Sequence, residues 1–253
     1  MRVAPAHAAP QPLGGDHRLL LSFVEDGAIV HKAWFEAGAR WDRFADGDDG
    51  SGMVTAAFRY GRDVEAGLIA GVRHRSRDAG AVLYGSTVAE SFSATGLWDL
   101  LVYGKYRVLR SPIELAVGAA LVIPLAHGDS GLTSGALQGE GFAALRKSFT
   151  RGSLIGHAGI ATAGAARQGS EADGRSAIAA GVGGLIPMAP LWVFIAEVDY
   201  DGAGFEGDGS STRGLVGVDW RPTENVVARG GVAAGLSDGA PNIVALVSMA
   251  FGF

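Results

Sequence analysis

The last twelve residues, Asn242 to Phe253, alternate in character. Ile243, Ala245, Val247, Met249, Phe251 and Phe253 form one apolar row, and Asn242, Val244, Leu246, Ser248, Ala250 and Gly252 form a smaller, more polar one. A period of two means an extended strand with two different faces. The stretch is longer than the ~5–6 residues usual for a globular strand and close to the roughly 9–11 that cross a bilayer when tilted. Taken alone it fits either the buried last strand of a soluble sandwich or a membrane-spanning strand. The rest of the chain decides between them.

The chain has 253 residues, is 48% hydrophobic but only 8% aromatic, and holds 40 Gly and no Cys. Gly at that density is poor for helices and suits a crowded barrel wall. The lack of Cys excludes a disulfide framework and a thiolate metal site. A net charge of −5 leaves no basic footprint, so nucleic acid is not an expected partner. Ser176 to Ala196 is uncharged and long enough to span as a helix, but Pro187-Met188-Ala189-Pro190 breaks it. It is read as two apolar strands joined by a turn.

Residues 1–32 are read as an N-terminal leader or periplasmic segment, rich in Ala, Pro and His at its start. Ala6-His7-Ala8 has the small residues of a signal-peptidase site without the charged and apolar regions that precede one. A start further upstream, a trimmed chain and a plain disordered leader all fit, and the segment has the length to cross a lumen or add a strand.

From Ala33 the pattern is regular, with strands expected at 33–43, 52–60, 64–75, 97–109, 113–125, 140–150, 153–166, 176–187, 191–201, 211–221, 226–236 and 242–253. The connections at 61–63, 111–112, 151–152, 188–190 and 222–225 are short, whereas 44–51, 76–96, 126–139, 167–175 and 202–210 are longer and polar. A soluble sandwich has no reason to sort its loops by length. An outer-membrane barrel does, with short periplasmic turns, long external loops and an even strand count. On the apolar rows, Tyr60, Tyr106, Phe149, Trp192, Trp220, Phe251 and Phe253 fall near the short turns, and Trp41, Trp98 and Tyr200 near the long loops. Two aromatic girdles bounding an apolar band are what the two bilayer interfaces favour.

The C-terminal strand, closing on Phe253, resembles the terminal strand of bacterial outer-membrane β-barrels. That resemblance implies recognition by the barrel-assembly machinery. The expectation for 33–253 is therefore all-β: a single antiparallel up-and-down transmembrane β-barrel of about twelve strands, in contact with the lipid bilayer and lipopolysaccharide. Closure follows because lipid tolerates no open strand edge.

The opposite rows carry charge of both signs. Expected to line the lumen are Glu36, Arg40, Arg59, Glu65, Arg73, Asp99, Tyr103, Lys105, Arg107, Glu114, Arg146, His157, Glu197, Asp199, Arg213, Asp219 and Arg229, with Asp42 on the same rows. A mid-bilayer Arg facing lipid costs roughly 2–4 kcal/mol, so these groups point inward. There they either pair across strands or line a wet path for a small-molecule solute, and both roles can hold together.

Gly96-Leu97-Trp98-Asp99 running to Lys105-Tyr106-Arg107, then an apolar strand ending Val122-Ile123-Pro124 and the loop Ala126-His127-Gly128-Asp129, is similar to the phenol-degradation meta-pathway transporters. The resemblance implies a barrel that passes small compounds, hydrophobic or aromatic ones among them, and carries over no binding residues. His74-Arg75-Ser76 has the His-x-Ser spacing of outer-membrane phospholipase A, with His74 as base and Ser76 as nucleophile. The chain's Asn residues, Asn225 and Asn242, lie in a turn and on the last strand, so no third group is in place and no catalytic residues are assigned. Asp46, Asp48 and Asp49 read as a solvated loop, and no metal or cofactor is expected. The best reading is a passive channel. The alternatives are an anchoring barrel with a plugged lumen and binding loops, and a lipid-hydrolysing barrel.

Overall fold

The computed structural model describes residues 26–30, 33–126, 130–164 and 173–253. The strands are β1 (Ala33–Phe44), β2 (Gly47–Tyr60), β3 (Val64–Arg77), β4 (Val82–Leu83), β5 (Ser86–Thr87), β6 (Phe92–Leu97), β7 (Leu100–Leu109), β8 (Glu114–Ile123), β9 (Gln138–Phe149), β10 (Gly152–Ala163), β11 (Ser176–Ala189), β12 (Trp192–Asp201), β13 (Ser211–Thr223), β14 (Val226–Gly235) and β15 (Ile243–Gly252). β4 and β5 form a separate small hairpin, and the remaining thirteen strands make one sheet. β6 and β7 both pair with β3, against residues 72–77 and 64–69 respectively, so they are two halves of one stave. The result is a closed antiparallel barrel of twelve staves, sealed where β1 pairs with both β2 and β15. At that seam Phe253 N donates to Ala33 O at 2.9 Å, and Ala33 N to Phe253 O at 3.3 Å.

The alternation read in the last strand becomes its two faces: Ile243, Val247, Met249 and Phe251 are exposed, while Val244, Leu246, Ser248 and Ala250 are buried. The uncharged stretch folds as the β11–β12 hairpin, turning at Pro190 and Leu191. Among the described residues no helix is long and apolar enough to cross a membrane.

Three local expectations are corrected. The polar loop at 44–51 is a tight turn at Ala45 and Asp46, with β2 starting at Gly47. The acids that signalled a loop are partners in the wall: Asp49 is 2.7 Å from Arg75 and 2.8 Å from Arg77, and Asp48 is 3.1 Å from Arg43. The loop at 76–96 contains the β4–β5 hairpin and most of β6. The strand expected at 97–109 is broken at Trp98 and Asp99. Leu97 and Val102 are both exposed on the outer face although five positions apart, which an unbroken strand forbids. The break resets the phase.

Inside, the wall packs tightly at a few points. A Cβ on Gly67 would sit 2.5 Å from the Tyr103 ring, its register partner on β7, and one on Gly118 would sit 2.3 Å from the Phe142 ring, its partner on β9. These two inward rings lie over glycines because nothing bulkier fits beneath them.

Candidate permeation path

The inward charges meet one another across the strands. Register sets Glu65 opposite Lys105, Glu114 opposite Arg146, Asp199 opposite Arg213 and Asp219 opposite Arg229. Asp219 is 2.7 Å from Arg229 and 3.0 Å from Arg221, and Lys105 is 3.5 Å from Glu65. Arg107 bridges Glu114 at 2.9 Å and Asp63 at 3.2 Å, and Arg40 holds Asp42 at 2.7 Å. Arg213 pairs with Asp199 and Asp201. Glu36 accepts from Ser248 Oγ and lies 4.0 Å from Arg229. Opposite charges facing directly across a ladder stabilise it. Glu197 is buried and His157 half-buried on the inward rows, and Arg59, in inward phase, is exposed at the rim.

The interior also contains something the charge pattern did not announce. Met53, Ile155, Leu185, Val193, Ile195, Leu215, Val244 and Leu246 form a buried apolar cluster, against which Ile69 and Trp98 pack. On β13, inward Leu215 stands between Arg213 on one side and Asp219 on the other, so an apolar belt is framed by paired charges. The signal lay in the inward rows of β10, β11, β12 and β13, which carry Ile155, Leu185, Ile195 and Leu215 among the polar groups.

Toward the short-turn end, residues 26–30 lie inside the barrel. Asp26, Ala28, Ile29 and Val30 are buried. Lys105 Nζ donates to the carbonyl of Asp26 at 3.1 Å and to that of Ala28. Val30 N donates to Glu65 Oε2 at 2.9 Å, while Tyr103 Oη donates to Glu65 Oε1 at 3.2 Å. Asp26 Oδ2 is 2.9 Å from Arg146 Nη1. Of the N-terminal leader expected at 1–32, residues 1–25 and 31–32 lie outside the described residues.

At the long-loop end the connections fold together. Leu132, Thr133 and Ser134 are buried, and Arg75 and Arg73 donate to the carbonyls of Gly131 at 2.9 Å and Leu132 at 3.2 Å. Tyr84, at the tip of the β4–β5 hairpin with φ 51°, accepts from Arg75 at 2.7 Å and meets Phe205 edge-on at 5.7 Å. The next residue, Gly85, donates its N–H to Asp208 at 2.7 Å. Burial pushes the Asp208 carboxyl above the ordinary aspartate range.

On the outer surface, Trp41, Tyr60, Tyr106, Phe149, Trp192, Tyr200, Trp220, Phe251 and Phe253 are exposed. Trp98, expected among them, packs inward beneath the Arg73 guanidinium, 4.4 Å from its ring centroid, because the break at 98–99 shifts the phase. Asp99, in the same break, is half-buried. His74 does face outward, but its Nδ1 bonds Thr95 Oγ1 at 2.7 Å. Among the described residues no cluster of three or more His, Asp or Glu could hold a metal ion.

A closed twelve-stave antiparallel barrel with an apolar, aromatic-rimmed exterior and a charge-paired interior is the fold of a bacterial outer-membrane β-barrel. The chain is similar over 100% of both lengths to the COG4313 outer membrane channel from Pseudomonas putida F1, with a TM-score of 0.68 and 14% identity. It is also similar to the KdgM porin in complex with disordered oligogalacturonate, with a TM-score of 0.57 and 9% identity over 87% of this chain and 99% of that one. No family model matches, and no curated protein matches. At these identities the likeness establishes the fold.

Proposed function

We propose that this chain is an outer-membrane channel for the passive passage of small solutes, hydrophobic or aromatic compounds among them. The observation that carries the reading is the apolar belt around Ile155, Leu185, Ile195 and Leu215, set in a barrel whose other inward groups are charged. A purely structural network of ion pairs needs no such belt, and a path for ions alone gains nothing from it. The paired charges hold the wall, and the belt side chains, buried against one another, offer apolar solutes a surface only as they part to let one through. Segment 26–30 is buried inside the barrel at the short-turn end, so passage requires both it and the packed belt to yield.

That same segment, with the Tyr84–Phe205 contact at the other end, favours a second reading, a sealed anchoring barrel. Planar-bilayer recording separates the two. The channel reading expects discrete current steps that a small aromatic solute reduces with concentration and a size-matched sugar does not. Steps indifferent to the aromatic would remove the solute class and keep the channel. A folded barrel without steps would favour the anchor.

A further inference from the structure

The rim at the short-turn end is lopsided in charge. The turns β2–β3, β7–β8 and β9–β10 are consecutive around the barrel, because β3 pairs with β7 and β8 with β9. On or beside them Arg59, Arg62, Arg110, Lys147 and Arg151 are exposed. Asp63 is occupied by Arg107 at 3.2 Å and by Arg110. Among the described residues no carboxylate pairs with Arg59, Arg62, Lys147 or Arg151. The other half of the rim, from β11 round to β1, shows no exposed cation among the described residues, although Trp192, Trp220 and Phe253 continue the aromatic girdle there.

Lys147 is the sharper observation. Its neighbour Arg146 points inward and is buried, so Lys147 belongs to the outer row, opposite the exposed Leu154 in register. Its Nζ lies 5.2 Å from the ring centroid of Phe149. A cation on the lipid-facing row is costly at mid-bilayer and nearly free at the interface. The girdle ring places it at headgroup depth, where the available anion is a lipid phosphate. Tyr60, exposed beside Arg62, repeats a ring beside a cation two turns away around the rim.

We propose that this rim is a binding surface for anionic phospholipids of the periplasmic leaflet, with Lys147, Arg151 and Phe149 holding one lipid and Arg62 and Tyr60 holding another. In each half the cations take a headgroup phosphate and the ring lies against the upper acyl chain. The contact Arg107 Nη2 to Arg62 O, 2.8 Å, and the Arg110–Asp63 pair tie the first two turns together and fix the backbone that carries Arg62.

The test is lipid retention by native mass spectrometry of the full chain, purified in neutral detergent and offered equal phosphatidylglycerol and phosphatidylcholine. The wild-type protein should keep phosphatidylglycerol in preference. The R62Q/K147Q/R151Q variant should lose that preference by about tenfold or more, since each cation near a membrane surface contributes appreciably to anionic-lipid binding. R43Q, on the opposite rim, should keep it. Heat-modifiable migration confirms that each variant is folded. No preference in the wild type, or an unchanged preference in the triple variant, overturns the proposal. So does displacement of the bound lipid by excess inorganic phosphate, which would make the site a phosphate site without use for the acyl chain.

Discussion

Arg146 Nη1 stands 2.9 Å from Asp26 Oδ2, and both side chains are shielded from solvent. This pair joins the wall at β9 to the segment that lies inside the barrel. Arg146→Ala removes this cation from beside the buried Asp26, and breaking a buried pair by removing one partner is strongly unfavourable. The segment should then open more often. The chain has no Cys, so an Ala28→Cys probe reports the opening by maleimide labelling. Labelling should be slow in the otherwise native chain and at least about tenfold faster with Arg146→Ala, the ratio for roughly 1.4 kcal/mol of lost docking.

Asp219 serves two buried arginines, Arg221 and Arg229. Asp219→Asn removes the charge that both need, and Glu36 remains 4.0 Å from Arg229 as a partial substitute. A loss of about 3 kcal/mol, the low end for an orphaned buried charge, should appear as a lower urea midpoint in vesicles. The swapped pair Asp219→Arg with Arg229→Asp should recover part of it. A neutral result for Asp219→Asn would mean that water solvates both arginines.

Gly67 has no room for a side chain beneath Tyr103. Gly67→Ala should cost about 1–3 kcal/mol as overpacking. Adding Tyr103→Ala should relieve only part, because the new Cβ would also sit 2.7 Å from the Ala56 carbonyl oxygen. Unfolding midpoints of the two single variants and the double variant measure that coupling.

Two aspartates outside the membrane should titrate in opposite directions. The hydrogen bond from Arg110 holds the Asp63 carboxyl below the ordinary aspartate range, whereas burial raises Asp208 above it. Asp63 therefore contributes stability at pH above its unfolded value, and this is lost as pH falls through its lowered folded value. Asp208 behaves in reverse: its ionised form costs stability at neutral pH, and the cost disappears as pH falls through its raised value. Carboxyl NMR should place the Asp63 midpoint below and the Asp208 midpoint above that of a free aspartate. The Gly85 amide should gain intrinsic-rate-corrected exchange protection on acidification, and Asp208→Asn should abolish that gain.

Much of the wall was legible because lipid enforces a period of two over long runs. Ile243 to Phe251 and the β11–β12 hairpin, uncharged over 176–196, fell where alternation put them. The failures came where a long-range partner outweighed a local signal. Asp48 and Asp49 have the composition of a loop, yet Arg43, Arg75 and Arg77 draw them into a ladder. Trp98 has the spacing of a girdle residue, but the break beside Asp99 turns it onto Arg73. The inward charges were readable one by one. Their pairing was not, since Glu65–Lys105 or Asp199–Arg213 exists only once register is set. Segment 26–30 has no periodicity at all; it is placed by Lys105, Glu65 and Arg146.

The most direct test is single-channel recording of the full chain beside a chain lacking residues 1–30, both shown to be heat-modifiable barrels. A channel closed at its short-turn end by segment 26–30 should give small or intermittent steps in the full chain and larger, longer-lived steps without it. Two folded barrels that both leave the bilayer silent would contradict the account.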